Sequence, residues 1–186
     1  MVVIDEAYVD FSQKNAIPLL QSHKNLIITR TLSKSYSLAG LRVGFALAHP
    51  KTIEVLDQAR EVYNLDRLAQ VGAVCALEDQ KYFQDTTAKI IRIRNDLAQT
   101  FVSLGWKVIP SETNFLFVRP NLENQLYGPE IANSLFCFLK KNNILVRYFP
   151  DNELTHSYLR ISIGKPDDMT MLVNVIQEWQ IQEKQK

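Results

Sequence analysis

One lysine, Lys34, stands among small and hydroxyl-bearing residues in the stretch Thr31-Leu-Ser-Lys-Ser-Tyr-Ser-Leu-Ala-Gly-Leu-Arg-Val-Gly-Phe45. The stretch follows an apolar run, Leu26-Ile-Ile28, which predicts a strand that ends at a loop. A lysine amine is a good nucleophile toward aldehydes once it is neutral, and Schiff-base chemistry needs such an amine. The pattern therefore predicts a reactive lysine just beyond a strand.

The same stretch offers groups that bind phosphate. Thr31 and Ser33 can donate hydroxyl hydrogen bonds, and Arg42, eight residues after the lysine, can grip a phosphate with two N–H groups. An amine beside such groups suits pyridoxal phosphate, whose ring carries both an aldehyde and a phosphate. The alternative is a surface loop with an ordinary solvated lysine, and this stretch alone does not separate the two.

The composition is that of a folded chain with balanced charge. Of the 186 residues, 46% are hydrophobic, enough for a core in one large domain or two small ones. The 21 basic and 20 acidic residues give a net charge of +1, so binding to nucleic acid or to a membrane is not predicted. Because no apolar run is long enough to span a bilayer and no signal peptide opens the sequence, we expect a cytoplasmic protein.

The cysteines and histidines predict neither a disulfide framework nor a metal site. Cys75 and Cys137 lie in helix-like apolar surroundings without a Cys-x-x-Cys spacing, so we expect buried free thiols in a reducing compartment. The histidines are scattered along the chain, and their spacing fits no set of metal ligands.

An apolar run at the start of the sequence, Val2-Val-Ile4, ends at Asp5. Uniformly apolar strands are typical of buried parallel sheets, and ligands of open α/β sheets bind at the carboxyl ends of the strands. A carboxylate there can keep a pyridine nitrogen protonated, and the hydroxyl of Tyr8 can hydrogen-bond the phenolic oxygen of the same ring. Alternatively, Asp5 is a turn-forming residue and Tyr8 lies at the edge of the core.

The rest of the chain alternates predicted helices and short strands. Helices are expected from Pro50, from a cap at Asp66, over 81–104, over 129–142 and from Pro166, with a frayed tail over 180–186. Strands are expected at 106–109, 114–118, 144–147 and 158–163. On the long helix, a solvated face is predicted for Lys89, Arg92, Arg94 and Asp96.

Two arginines are candidates for binding an anionic substrate. In the predicted strand around Arg160, the apolar residues share one face, so Arg160 and Ser162 point to the other. An arginine that faces a cleft from a strand can bind a carboxylate. Arg147 ends the neighbouring strand and is the second candidate, for a different anionic group. The alternative is a pair of edge-strand arginines that point into water.

These residues together resemble the fold type I pyridoxal-phosphate aminotransferases. The similarity rests on the Asp-x-x-Tyr step at Asp5, the Ser-Lys step at Lys34 and the arginine at position 42. Longer sequence motifs are similar to those of the histidinol-phosphate aminotransferase family. They are Asp-Glu-Ala-Tyr at Asp5, the stretch from Thr31 to Phe45, Ser-x-x-Asn-Phe at Ser111, Ile-Leu-Val-Arg at Ile144 and Leu-Arg-Ile-Ser-Ile-Gly at Leu159.

The resemblance implies an α/β fold in two parts. Residues 1–79 would form the C-terminal part of the fold type I large domain, which has a mostly parallel sheet and carries the Schiff-base lysine. Residues 80–186 would form a small α+β domain.

The resemblance also implies a role for each cofactor residue. Lys34 would form the Schiff base with pyridoxal phosphate and then move the proton between substrate and cofactor. Asp5 would pair with the pyridinium nitrogen and Tyr8 would contact the ring hydroxyl. The phosphate would be held by Thr31, Ser33 and Arg42.

Substrate binding is implied for three residues of the second part. Arg160 would bind the carboxylate of the amino donor, Arg147 would lie near the substrate's phosphate or carboxylate, and Asn114 would also contact substrate. The implied reaction transfers an amino group reversibly between histidinol phosphate and 2-oxoglutarate, giving imidazole acetol phosphate and glutamate, in histidine biosynthesis.

The sequence resembles only the C-terminal portion of that family. Family members carry an N-terminal half that cradles the phosphate and adds strands to the sheet. We therefore expect an exposed sheet edge and apolar surface, and association as a homodimer or with a missing N-terminal half. The alternatives are another fold type I enzyme, such as a threonine-phosphate decarboxylase or a different aminotransferase, and a fragment that is inactive or depends on a partner.

Overall fold

The computed structural model describes residues 1–122 and 126–185. They form two compact units, Met1–Lys89 and Ile90–Lys186, whose boundary falls inside the helix Gln80–Ser103. The functional division predicted at residues 79 and 80 stays a prediction.

The first unit contains a three-stranded sheet. Its strands are β1 (Val2–Asp5), β2 (Leu26–Thr31) and β3 (Gly44–Ala48), in the order β1-β2-β3. β1 runs parallel to β2, and β2 runs antiparallel to β3. The parallel pair requires a crossover, which passes through two short 3-10 turns, Val9–Phe11 and Ile17–Gln21.

The prediction that β1 is a buried strand is wrong in this chain. Val2 is 52% exposed and Val3 is 60% exposed, although these neighbours point to opposite faces of the sheet. Within the described residues β1 pairs only with β2, so it is an edge strand with little cover on either face. The exposed apolar sheet edge that the sequence led us to expect is therefore present.

Two helices follow the sheet, α1 (Pro50–Ala59) and α2 (Arg67–Glu78). The predicted cap is confirmed, because Oδ1 of Asp66 accepts hydrogen bonds from the backbone N–H groups of Leu68 (2.8 Å) and Ala69 (3.0 Å). The small core of the first unit is built from Leu32, Val43, Ala69 and Ala73. Much of the apolar surface of the two helices remains exposed: Ile53, Val55, Leu56, Leu68, Val71, Val74 and Leu77.

The second unit packs helices on an antiparallel sheet. The helix α3 (Gln80–Ser103) is terminated by Gly105, as predicted, and a positive φ of 77° at this glycine closes the turn. The remaining elements are β4 (Lys107–Ile109), β5 (Phe115–Arg119), α4 (Pro129–Lys141), β6 (Arg147–Tyr148), β7 (Leu159–Ser162) and α5 (Pro166–Lys184). The sheet order is β4-β5-β7-β6. Its core includes Phe101, Trp106, Leu116, Val118, Leu135, Leu159, Ile176 and Trp179.

Two predicted boundaries in the second unit are wrong. β6 begins at Arg147 rather than at residue 144, because the N–H of Ile144 donates to the carbonyl of Leu139 (2.9 Å) and closes the end of α4. The predicted frayed tail is helical as far as Lys184, where α5 ends. Lys186, the last residue of that tail, lies outside the described residues.

The cysteines differ from expectation as well. Cys75 and Cys137 are free thiols, but both are exposed rather than buried. Each lies on the outer side of an amphipathic helix, where apolar neighbours in sequence do not imply burial. Among the helices in the described ranges, none is long and apolar enough to cross a membrane.

Candidate active site

Two turns meet at the carboxyl edge of the parallel strand pair. The register pairs Asp5 with Thr29, and the N–H of Glu6 donates to the carbonyl of Thr29 (2.9 Å). The chain leaves the pair through a turn after Asp5 and through a second turn after Thr31. These are the two turns that carry the predicted cofactor residues, so the parallel register brings the two motifs to one edge of the sheet.

The ammonium of Lys34 lies over the ring of Tyr8. Its Nζ is 5.2 Å from the ring centroid, within the range of a cation–π contact. Both residues are half-buried. The structure thus brings together the proposed amine and phenol from different turns.

Asp5 ends β1 with its side chain exposed. Its Oδ1 accepts a hydrogen bond from the N–H of Ala7 (2.9 Å), which is the turn-forming role weighed as the alternative. A carboxylate has two oxygens and about four acceptor positions. The hydrogen bond within the turn uses one of them, so Asp5 can still pair with a cation.

The turn around the lysine is held by local hydrogen bonds. The hydroxyl of Thr31 accepts from the N–H of Ser33 (3.1 Å) and donates to the carbonyl of Val43 (3.3 Å). The N–H of Ser37, a residue with a positive φ of 58°, donates to the carbonyl of Lys34 (3.1 Å). Thr31 therefore shapes the turn, and phosphate contacts by Thr31 and Ser33 stay predictions.

Arg42 adopts an unusual backbone conformation at the end of the lysine stretch. Its φ of 57° and ψ of 37° are left-handed, and its Nη1 donates to the carbonyl of Ala39 (2.9 Å). The side chain is exposed. Since a guanidinium has five N–H donors, this contact leaves it able to bind a further acceptor.

Two side-chain links that the sequence analysis missed lie at this edge of the sheet. A buried carboxylate, Glu6, accepts from Nε (3.0 Å) and Nη2 (2.8 Å) of Arg30 and from the N–H of Ala16. The carboxylate of Asp10 accepts a hydrogen bond from the hydroxyl of Ser35, which is 4% exposed. Spacing alone could not reveal these pairs, because both depend on the parallel register of the strands.

In the second unit, Arg147 and Arg160 lie opposite each other on β6 and β7. The guanidinium carbon of Arg160 is 5.3 Å from the ring centroid of Phe115, and its Nε is buried without a hydrogen-bond partner among the described residues. Arg147 lies similarly over Phe149 (5.6 Å). The ion pairs found in the described ranges, Glu6–Arg30 and Asp57–Arg60, do not involve either arginine.

Asn114 lies in the turn that leads into β5. The hydroxyl of Ser111 donates to the carbonyl of Phe115 (2.7 Å), and the hydroxyl of Thr113 also contacts that carbonyl (3.1 Å). The carbonyl of Asn114 accepts from the N–H of Ile163 at the end of β7 (2.9 Å). Asn114 is half-buried and directly precedes Phe115, whose ring lies under the guanidinium of Arg160.

Arg94 contradicts the prediction of a solvated face on α3. It is 6% exposed, and its Nη1 donates to the carbonyl of Thr113 (2.9 Å). Burial lowers the pKa of Arg94 from its ordinary value, and nearby Glu112 opposes that shift. Sequence reasoning missed this role because Arg94 stands among charged neighbours on a helix, and only the fold shows which of them turns inward.

Comparison with known proteins defines the class first. The sequence matches the family described as aminotransferase class I and II over residues 1–176. The chain belongs to this family.

More particular similarity is to histidinol-phosphate aminotransferases. The protein of that name from Syntrophotalea carbinolica is 47% identical over 169 residues, which cover 91% of this chain and 46% of the relative. The one from Citrifermentans bemidjiense is 44% identical over 178 residues, covering 96% of this chain and 49% of the relative. The chain thus spans about half the length of the curated relatives it matches.

A solved structure supports the same assignment of fold. The histidinol-phosphate aminotransferase from Sinorhizobium meliloti, determined in complex with pyridoxal 5'-phosphate, matches with a TM-score of 0.83 and 28% identity. The match covers 98% of this chain and 49% of that one. The α/β architecture is therefore that of about half of a pyridoxal-phosphate-dependent aminotransferase.

Proposed function

We propose that this chain carries the reactive lysine and the substrate arginines of a pyridoxal-phosphate-dependent aminotransferase that acts on histidinol phosphate. The observation that carries the proposal is the ammonium of Lys34, 5.2 Å from the ring centroid of Tyr8 at the carboxyl edge of a parallel strand pair. Similarity to the histidinol-phosphate aminotransferases supports the choice of substrate.

The residues present fit this cofactor. Lys34 offers an amine, Tyr8 a phenol beside it, and Asp5 an exposed carboxylate at the same sheet edge. Arg42 keeps N–H donors for a phosphate in addition to its contact with Ala39. When bound, pyridoxal phosphate supplies a ring that withdraws electrons from the substrate carbon.

The chain's own groups would then bind and move protons. Lys34 would release its proton before its nitrogen bonds to an aldehyde carbon, and later hold the proton that leaves the substrate carbon. Asp5 would hold a positive charge on the ring nitrogen by charge pairing. Phosphate binding would fall to Thr31, Ser33 and Arg42.

The arginine pair of the second unit suits an anionic substrate. Like charges directly opposite each other destabilise a sheet, and no described carboxylate forms an ion pair with Arg147 or Arg160. A bound anion would offset their repulsion. We propose that Arg160 binds the carboxylate of the amino donor and Arg147 the substrate's phosphate or carboxylate. Asn114 would contact the substrate from the turn before β5.

The exposed surface of the first unit suggests a partner. An unpaired edge strand and exposed apolar side chains are features that proteins normally cover. We propose that residues 1–79 complete a mostly parallel sheet with polypeptide that corresponds to the other half of the relatives, or associate with a second copy. Residues 80–186 would be the small domain, in a protein of the cytoplasm.

A spectroscopic titration tests the proposed function. Pyridoxal phosphate is added to the purified chain and to Lys34→Arg, which keeps the charge but not the reactive amine. A visible absorbance band is expected with the natural chain alone, and amino donors should then shift it. A greater response to histidinol phosphate than to phosphothreonine supports the proposed substrate, and equal bands in both chains contradict the role of Lys34.

A further inference from the structure

The turns that carry Tyr8 and Lys34 are each fixed by one buried apolar side chain. Phe11 is 2% exposed in the first turn, and Leu32 is 1% exposed in the second. Phe11 lies three residues after Tyr8, and Leu32 lies two residues before Lys34. Burial of these two side chains fixes each turn locally, and the relation between the two turns depends on contacts across the sheet edge.

A direct link between the turns lies beside these two residues. Ser35, the residue after Lys34, donates its hydroxyl hydrogen bond to the carboxylate of Asp10, two residues after Tyr8. Ser35 is nearly fully buried and Asp10 is half-buried, so the serine end of the bond is shielded from water. The hydrogen bond to a charged acceptor is also stronger than one between neutral groups.

A lysine is not held in place by an aromatic ring alone. Its side chain has four rotatable bonds, and a single half-exposed cation–π contact is weak compared with that freedom. The position of Nζ therefore depends on where the backbone of Lys34 is held. The hydroxyl of Ser35, on the next residue, ties this backbone to the turn of Tyr8.

We infer that the hydrogen bond between Asp10 and Ser35 positions Lys34 over Tyr8, which makes both residues positioning residues of this site. The relevance to a cofactor rests on the proposed function, whereas the placement of Lys34 does not. The other link joins Glu6, just after β1, to Arg30 on β2, four residues before Lys34, and does not reach the lysine turn. The bond between Asp10 and Ser35 thus fixes the position of the lysine turn, whereas the Glu6–Arg30 ion pair fixes the ends of the two strands.

Ligand-free NMR spectroscopy tests the placement. Ring current from Tyr8 should shift the ε-methylene resonances of Lys34 upfield, with Lys34→Arg assigning the signal and Tyr8→Leu removing the shift. We expect Ser35→Ala and Asp10→Ala each to lose most of the shift, while Asp10→Asn retains it through the remaining carbonyl oxygen. Ser22→Ala, a serine in the same unit away from both turns, should keep it.

The same spectra monitor folding through the methyl resonances of Leu32 and Val43. Two alanine variants from opposite sides of the bond keep the test valid if one of them fails to fold. The inference is overturned if a folded Ser35→Ala or Asp10→Ala chain keeps the full shift, or if Asp10→Asn loses as much as Asp10→Ala.

A second measurement separates this inference from the proposed function. With pyridoxal phosphate, covalent labelling of Lys34 should be roughly tenfold slower in Ser35→Ala than in the natural chain, because the amine is misplaced. If Lys34 is labelled at the same rate in Ser35→Ala as in the natural chain, the inference is overturned and the proposed function stands. If the ring-current shift depends on Ser35 but Lys34 is not labelled in the natural chain, the inference stands and the proposed function is contradicted.

Discussion

Arg147 and Arg160 occupy directly opposite positions on two antiparallel strands, so their side chains project from the same face of the sheet. Each guanidinium lies near an aromatic ring, and neither forms an ion pair with a described residue. The second unit therefore keeps two like charges together, at some cost in stability, on the face where we propose that substrate anions bind.

Relief of this repulsion should stabilise the ligand-free chain. We expect Arg147→Gln to raise the free energy of unfolding by about 0.2–1 kcal/mol, because like charges directly opposite each other are destabilising. Urea denaturation at low salt measures the change. Added phosphate should stabilise the natural chain more than this variant.

The matched control is Arg92→Gln, which removes an exposed arginine from α3. Its effect should lie within about 0.5 kcal/mol of zero and should not depend on phosphate. If Arg147→Gln behaves like this control in both respects, the two arginines are ordinary surface charges.

Arg94 should stabilise the turn that holds Asn114. Arg94→Met keeps an unbranched apolar stem but removes the guanidinium, so the carbonyl of Thr113 loses this donor, and we expect a loss of about 1–3 kcal/mol in the free energy of unfolding. Urea denaturation checks the value, with Arg92→Met as control. Equal stability of the two variants would show that the buried contact contributes nothing.

The cap at Asp66 should stabilise α2. Asp66→Ala removes the acceptor of two backbone N–H groups and should lower the free energy of unfolding by about 1 kcal/mol. Asp57→Ala, at an exposed position in α1, is the control and should cost less. Thermal denaturation of both variants, followed by circular dichroism, makes the comparison, and a cost for Asp66→Ala no greater than the control would refute it.

The apolar edge of the first unit should drive association. Val3→Lys places a charge on the exposed strand β1, and we expect it to reduce self-association or binding of a complementary half while leaving the fold intact. Sedimentation velocity measures the distribution of species. Val102→Lys changes a valine of similar exposure on α3 and should have no effect; equal effects of the two changes would argue against a specific edge.

Local chemistry made several parts of the fold predictable. Asp5 follows an apolar strand, Lys34 follows another, and Asp66 precedes a helical run, so each position could be deduced from its neighbours in sequence. The roles of these residues toward a ligand were implied by family resemblance, and they remain predictions beyond the contacts found here.

What the sequence did not predict depends on tertiary register. The bond from Ser35 to Asp10 spans 25 residues and exists only because β1 and β2 are parallel and adjacent. Burial of Arg94 depends on which side of α3 faces the sheet. The exposure of Val2 has the same kind of cause, because an apolar strand is buried only where neighbouring elements cover it.

The central claim is that Lys34 is the lysine that reacts with the cofactor. Its most direct test is to incubate the chain with pyridoxal phosphate, reduce it with borohydride and map the labelled peptides by mass spectrometry. The account predicts a label concentrated on Lys34 and lost in Lys34→Arg. A label spread evenly over the exposed lysines, or absent from Lys34, would contradict it.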